Sequence, residues 1–320
     1  METANAIHSG RAMTLQQLHV FLNVVTQGSI HGAARALGVT QPAITASMRE
    51  LEKTVGVPLL LRSVKGVKLT SYGAVFYRRA KSIAADMKRA EDELLEMRGE
   101  QAGSVVVGLS ELAECCLLPK VFSEFRREGR DTLLSFYQSS FSSALGRLFE
   151  NAIDFAIVNG LRDMKFPDFV VPRRLFSMPV VAVARPSHPK IHAQRIDAVT
   201  DQEWLLPCEV GDDVDRAFTQ YFESTGLQVP KVSRCQTISA AILLLQEADL
   251  IAPVQYPTFK MKMESHGLEA MPMQIEGITM SAYLLTRRDH HLSDDAEALL
   301  EMFEEAAREV PFVERDALTS

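Results

Sequence analysis

Residues 29–70 read SIHGAARALGVTQPAITASMRELEKTVGVPLLLRSVKGVKLT, and this stretch decides how the chain is interpreted. Its first part places small and apolar residues, Ala33, Ala34 and Leu37, on one face of a short helix. Gly38 follows, and glycine supplies the backbone freedom that a tight turn needs. The pattern therefore predicts a short helix that ends in a sharp corner.

A second helix is predicted directly after that corner. Thr40 fits an N-cap, and Pro42 falls in the first helical turn, where a missing N–H costs nothing. The apolar stripe of this helix repeats every three or four residues and consists of Ile44, Met48, Leu51 and Val55. Its opposite face carries Gln41, Thr45 and Arg49. Two helices, a tight turn and a polar outer face predict a helix-turn-helix whose second helix enters a DNA major groove.

An ordinary helical hairpin with a solvated polar face is the alternative interpretation. Three features favour nucleic acid instead. The exposed face opens with Gln and Thr, which suit base edges and phosphates better than the Glu/Lys pairs of a solvated face. Residues 35–68 also carry six Lys/Arg against two acids, and residues 62–70, RSVKGVKLT, have the cations and central glycine of a wing.

The chain contains, in this order, GSI-x-x-AARALGVTQPAIT, LE, GVPLL, R, KG and LT-x-x-G. This order resembles the winged helix-turn-helix of the LysR-type transcriptional regulators. The resemblance covers about residues 13–310. It implies DNA contact, in the recognition helix or in the wing near the minor groove, by Gln41, Pro42, Thr45, Arg62 and Lys65. The residue pattern adds Arg49 and Lys68. Ala46 stands where the family often has Arg, so that contact is not carried over, and Leu60 stands where the family often has Phe.

Two further helices are predicted around this motif, over residues 14–27 and 71–98. The second has a heptad seam formed by Phe76, Ala80, Ile83, Met87, Ala90 and Leu94. A helix packed on its own domain would show the same seam, but the resemblance implies that two chains pair through it. Two paired DNA-binding domains then imply a partly palindromic operator. Residues 99–103 break the periodicity and are expected to form a hinge.

Strand and helix patterns alternate through the remainder of the chain, which favours parallel sheets in an α/β domain. Strands are predicted at 104–109, 132–137, 155–158, 179–184, 204–206, 232–235, 251–253 and 279–285. Helices are predicted at 117–128, 142–151, 214–224, 239–246 and 294–309.

The resemblance implies a two-lobed fold similar to periplasmic ligand-binding proteins, with a disordered extension before it and a short tail after it. The expected boundaries are 1–12 for the extension, 13–70 for the DNA-binding domain, 71–98 for the linker helix, 104–311 for the effector-binding domain and 312–320 for the tail. Within that domain, lobe one is expected over 104–174 and 279–311, and lobe two over 175–278.

Ligands of open α/β sheets bind beyond the carboxyl ends of the strands. This rule and the family resemblance together give the expected effector-binding residues Ser110, Ser139, Ser140, Cys208 and Thr237. The alternative is that these hydroxyls only cap helices. Glu111 and Glu114 are expected on a solvated loop, but either one, if it faced the cleft, would disfavour a simple anion and favour a cation or a neutral ligand.

The net charge of −7 is unevenly divided along the 320 residues. Residues 1–98 hold 13 Lys/Arg and 8 Asp/Glu, whereas the other 222 hold 21 and 33. A basic N-terminal region joined to an acidic remainder suits phosphate contact at the N-terminal end only. No apolar run reaches the roughly 18 residues that a membrane span needs, and residues 1–12 lack a signal-peptide core. We expect a cytoplasmic protein without a membrane partner, starting at Met1 or Met13.

Sequence motifs for metal binding and catalysis are missing. The four cysteines, Cys115, Cys116, Cys208 and Cys235, have neither C-x-x-C nor zinc-like spacing to histidine. Some members of the family sense peroxide through a cysteine in lobe two, but by alignment that position falls near Asp213. There is no G-x-S-x-G elbow and no Walker loop. We expect no enzyme activity, no metal and no cofactor.

The sequence is therefore interpreted as a LysR-type transcriptional regulator controlled by a small-molecule effector. The expected partners are double-stranded DNA, the effector, further copies of the chain in a homodimer or homotetramer, and RNA polymerase. Two alternatives stay open: an architectural DNA-binding protein whose body only oligomerises, and a thiol-based redox-responsive regulator.

Overall fold

The computed structural model describes residues 12–63, 66–98, 103–162, 164–208, 210–211, 213–288, 290–311 and 313. The chain divides into two compact units, which are described separately. Unit 1 holds the residues up to Leu95 together with Phe149–Ala152, and unit 2 holds Glu96–Leu148 and the residues from Ile153 onward. Among the described residues, no helix has the length and apolar character that crossing a membrane requires.

Unit 1 contains the predicted helix-turn-helix. Its elements are α1 (Leu15–Gln27), α2 (Ile30–Leu37), α3 (Gln41–Val55), β1 (Leu60–Ser63), β2 (Gly66–Leu69) and α4 (Ser71–Met97). Thr14 and Gln17 form a capping box at the start of α1. The side chain of Thr40 caps α3, and Gly38 adopts a left-handed φ of 65° at the end of α2. Local sequence signals therefore set the ends of all three helices.

The core of the helix-turn-helix lies where its three helices meet. The apolar stripe of α3 contributes Ile44, Met48 and Leu51, all fully buried, and α1 contributes Phe21 and Val24. Burial of such side chains stabilises a fold by about 1.5–3 kcal/mol each. The same packing fixes which face of α3 remains outside.

The wing is an antiparallel hairpin of β1 and β2, with Arg62 opposite Val67. The carbonyl oxygen of Gly28 accepts a hydrogen bond of 2.9 Å from the Val67 N–H. Gly66 has a φ of 119°, and a Cβ there would lie 2.6 Å from the same carbonyl oxygen. Glu52 of α3 accepts the N–H groups of Leu59 and Leu60 at 2.8 and 3.1 Å. The wing is thus tied to both the first helix corner and the second helix of the motif.

Helix α4 begins after Thr70, whose Oγ1 accepts the Gly73 N–H at 2.9 Å. The start of its apolar seam packs inward. Phe76 makes an edge contact with Phe21 at a ring-centroid distance of 5.1 Å, and Ala80 is buried. Farther along, the seam is uncovered in the single chain: the exposed fractions are 38% for Ile83, 41% for Met87 and 62% for Leu94. Only the start of the heptad seam is therefore covered within unit 1.

Unit 2 opens with a set of parallel strands joined by helices, here called lobe one. Its first elements are β3 (Ser104–Leu109), α5 (Glu111–Cys116), α6 (Leu118–Arg127), β4 (Leu133–Gln138), α7 (Phe141–Phe149) and β5 (Phe155–Leu161). β3 lies between β4 and β5 and is parallel to both. Residues 111–116 are helical, which corrects the expectation of a loop, because Ser110 caps the segment and Leu112 and Ala113 are buried.

A second parallel set, here called lobe two, follows along the chain. Its elements are β7 (Glu203–Leu206), α8 (Asp213–Ser224), β8 (Val232–Arg234), α9 (Ile238–Glu247), β9 (Leu250–Gln255) and α10 (Tyr256–Thr258). β7 pairs in parallel with β8 and β9. The helical stretch from α10 through His266 continues as one π turn and one 3-10 turn and was not predicted.

Two long strands, β6 (Val170–Ala184) and β10 (Glu269–Arg287), join the lobes. The sheet order is β4-β3-β5-β10-β6-β9-β7-β8, and β10 is antiparallel to both of its neighbours. The sheet is therefore mixed: the strands within each lobe pair in parallel, as predicted, and β6 and β10 are antiparallel to their neighbours. Both strands also extend beyond the predicted spans 179–184 and 279–285. Their added parts carry charged or interrupted sequence, and the added part of each strand pairs with the predicted part of the other. The final helix α11 (Asp294–Glu309) matches its prediction.

Candidate functional sites

The outer face of α3 is the first candidate site. Gln41, Pro42 and Arg49 are exposed there, and Thr45 is half-buried. Gln41, Thr45 and Arg49 are spaced by four residues and share one face, since four residues make about one helical turn. The Gln41 Nε2 donates to His31 Nδ1 of α2, so the first residue of α3 is held from the neighbouring helix. The structure brings these four predicted DNA-binding residues together.

Only some of the predicted wing residues are among the described residues. Lys68 lies on β2 with an exposed side chain. Lys65 lies outside the described residues, and so does the side chain of Arg62, whose backbone forms part of β1.

The second candidate site is a cleft of about 600 Å³ in unit 2. It lies at the carboxyl ends of β3, β4 and β7, the position that the strand-end rule predicts. The predicted residues Ser110, Ser139, Ser140 and Cys208 line it. Thr237 is not among the lining residues, and its hydroxyl accepts the Ala240 N–H as the cap of α9.

The serine hydroxyls in this cleft are mostly engaged. Ser110 Oγ donates to Asn159 Oδ1 at 3.3 Å and accepts the Ala113 N–H at 3.4 Å. Ser139 Oγ donates to the Tyr137 carbonyl oxygen at 3.3 Å. Ser140 Oγ accepts the Ser143 N–H at 3.3 Å. The capping role and the cleft-lining role therefore coexist in Ser110 and Ser140.

Thr258 of α10 differs from those serines and was missed by sequence reasoning. Its residue is 2% exposed, lines the cleft, and its Oγ1 has no hydrogen-bond partner among the described residues. A buried hydroxyl without a partner costs roughly 1–3 kcal/mol. It comes three residues after β9, so the strand-end rule applied to that strand would have found it.

The charged side chains of the cleft were missed as well. Glu111 and Arg216 line the cleft together with uncharged polar side chains, which are Gln138, Asn159, Gln236 and Gln255. Near Arg216, the carboxyl of Asp215 is buried, which raises its pKa, but hydrogen bonds from the Gly211 N–H and Arg234 outweigh this and lower the pKa overall. Within the part of the chain that the structure describes, no three potential ligands are grouped to hold a metal ion.

Comparison with known proteins identifies both regions. The bacterial regulatory helix-turn-helix family named after LysR matches residues 15–74, and the LysR substrate binding domain matches residues 98–308. The chain belongs to the LysR family. It is a LysR-type transcriptional regulator with a helix-turn-helix and a substrate-binding domain.

Individual relatives of this LysR-type regulator agree with the family. The transcriptional regulator TdcA of Escherichia coli K12 is 27% identical over 75% of this chain and 76% of its own length. A solved structure of CbnR in complex with its target DNA has a TM-score of 0.61 at 19% identity and covers 92% of this chain and 99% of its own. Full-length LysG of Corynebacterium glutamicum with bound effector Arg has a TM-score of 0.62 at 16% identity, covering 95% and 100%. The two structures share the fold of this regulator.

Burial affects the thiols of this LysR-type regulator. Burial raises the pKa of Cys115 to about 11 and that of Cys116 to about 12, and it also raises the pKa of Cys235. Cys208 is buried. Because the thiolate is the reactive form, these shifts suppress reaction with oxidants at neutral pH.

Proposed function

We propose that α3 and the wing form the DNA-reading surface of this regulator. The exposed Gln41 and Arg49 at one face of α3 support base and phosphate contact, since Gln reads adenine bidentately and Arg reads guanine. Pro42, Thr45, Arg62, Lys65 and Lys68 complete the proposed surface. The hydrogen bonds that tie the wing to Gly28 and Glu52 support its acting with α3 as one rigid element.

The uncovered part of the α4 seam supports pairing between two chains. Apolar side chains at Ile83, Met87 and Leu94 repeat at heptad spacing and lack cover in the single chain. The proposed assembly is a homodimer through α4, with two such dimers in a homotetramer, on a partly palindromic operator, and with RNA polymerase as the further partner. The proposed domains keep the boundaries 13–70, 71–98 and 104–311.

The cleft of unit 2 is proposed to bind a small-molecule effector. The observation that carries this proposal is the buried, unpartnered hydroxyl of Thr258 in a polar cleft of about 600 Å³. That volume falls within the roughly 300–1,000 Å³ of small-molecule sites. A ligand that touches both lobes would favour one arrangement of the subunits, and its differential affinity alone would drive that change.

The test is a thermal-shift screen of the full chain against small carboxylates, aromatic acids, amines and amino acids. A saturable rise in melting temperature is expected for one class, because a ligand stabilises the folded state by RT ln(1 + [L]/Kd). Ser142→Trp, which places a bulky ring at the cleft wall, should abolish the rise. Gln220→Trp on the exposed side of α8 is the control and should keep it.

Two results would contradict this proposal. A rise that survives in Ser142→Trp would place the ligand elsewhere. No rise with any class, together with intact DNA binding, would favour the architectural DNA-binding protein.

A further inference from the structure

Glu111 brings a negative charge to the cleft. It is the first residue of α5, and its carboxylate accepts a hydrogen bond of 2.8 Å from Gln138 Nε2. No Lys, Arg or His among the described residues forms an ion pair with it. A ligand in this part of the cleft therefore meets a carboxylate whose direct partners are hydrogen-bond donors, Gln138 Nε2 and, at 3.9 Å, Cys115 Sγ.

The start of α7 gives the same cleft a group of hydrogen-bond donors. The N–H groups of Ser140, Phe141 and Ser142 have no acceptor within the described chain. Free N–H groups at a helix start, together with the helix dipole, favour a carboxylate or similar anion. The unpartnered hydroxyl of Thr258, which is buried in the same cleft, is an independent sign that a polar ligand belongs here.

These opposite features lie close together. Glu111 and the start of α7 follow β3 and β4, which are adjacent parallel strands with Leu109 opposite Gln138. Adjacent strands are about 4.8 Å apart. A simple carboxylate on the α7 donors would therefore be repelled by Glu111, whereas a ligand with an ammonium group beside its carboxylate would satisfy both.

We propose that the effector is a small zwitterion of the α-amino acid class. Its carboxylate binds the N–H groups at the start of α7, its ammonium group binds Glu111, and a polar group of the ligand reaches Thr258 from inside the cleft. This inference rests on the proposed control by a small molecule and names the ligand class of that site.

The deciding experiment is isothermal titration calorimetry of the full chain with the proteinogenic L-amino acids, each compared with its N-acetyl and desamino analogues. At least one amino acid should bind saturably. Both analogues of that amino acid should bind about 30-fold more weakly or worse, since each lacks the ammonium group that would pair with Glu111.

A matched pair of variants tests the assigned role of Glu111. Glu111→Gln should bind the amino acid about as weakly as wild type binds the desamino analogue. The variant should also bind the amino acid and its desamino analogue equally. Glu114→Gln, on the same helix but outside the cleft lining, should behave as wild type. Circular dichroism of both variants controls for folding.

The outcomes separate this inference from the proposed function. Equal binding of the amino acid and its desamino analogue, or unchanged selectivity in Glu111→Gln, would overturn the zwitterion. Saturable binding of another class alone would overturn it too, while the effector-controlled function would stand. If no compound of any class bound, both would fall.

Discussion

At the scale of single residues, Gln41 lies at the start of α3, the helix that is proposed to read DNA. It is exposed at the first position of α3, and its amide contacts His31 of α2. We expect Gln41→Ala to lower the discrimination between operator and random DNA by about 1–3 kcal/mol per half-site contact. Fluorescence anisotropy with both DNAs would measure this. Gln16→Ala, an exposed glutamine of α1, is the control. An equal loss on both DNAs would contradict a base-reading role.

Thr258 offers a second test at this scale. In Thr258→Val the unpartnered hydroxyl disappears, so the free energy of unfolding without ligand should rise by about 1 kcal/mol, while effector affinity should fall. Urea denaturation and calorimetry would measure the two effects. Thr219→Val is the control, because Thr219 Oγ1 donates to the Asp215 carbonyl oxygen at 3.1 Å and its loss should not stabilise. A destabilised Thr258→Val would show that the hydroxyl is already satisfied.

At the scale of elements, α4 has an apolar seam that is only partly covered within the single chain. Phe76 and Ala80 pack on the core of unit 1, whereas Ile83 and Met87 are left open. The double substitution Ile83→Lys with Met87→Lys should raise the dissociation constant of the α4 pairing about 100-fold or more, because two apolar side chains lose about 1.5–3 kcal/mol of burial each.

Sedimentation equilibrium would measure this effect as a fall in assembled mass to half. Lys88→Ala is the control, since Lys88 is on the same helix with a largely exposed side chain. An unchanged mass for the double variant would refute pairing through this face of α4.

The elements that the sequence predicted well are those with local signals. The helix predicted over 14–27 begins one residue later, at Leu15, because Thr14 caps it, and the last helix starts after its cap Ser293. The outer halves of β6 and β10 were missed because their partners are distant in sequence. Pro172 and Pro272 interrupt their apolar runs, and only the cross-strand pairing shows them as strands.

The same distinction applies to the cleft. Ser110 and Ser139 follow predicted strands, so a general rule found them. Glu111 was placed on a loop because six residues of helix carry too little periodicity to be seen. The orphan hydroxyl of Thr258 depends on what surrounds it, which no local pattern encodes.

At the scale of the whole molecule, the charge is segregated along the chain. The first 98 residues have an excess of cations, whereas the remainder is acidic. We expect Lys68→Ala to weaken binding to operator and random DNA alike and to reduce the slope of log K against log salt by about 1. Titrations at several salt concentrations would measure the slope.

A lysine of the acidic region provides the control for that measurement. Lys190→Ala removes the same charge from an exposed position in unit 2 and should leave the slope unchanged. If both variants lowered the slope equally, net charge alone would account for the effect of Lys68.

The strand order also constrains how this protein is made on the ribosome. β10 lies between β5 and β6, so the sheet of lobe one stays open at its middle until Arg287 has been synthesised. Until then the edges of β5 and β6 are unpaired, and such edges promote aggregation. Lobe one, although begun first, is completed last, and a chain that stops before β10 would emerge as an aggregation-prone fragment.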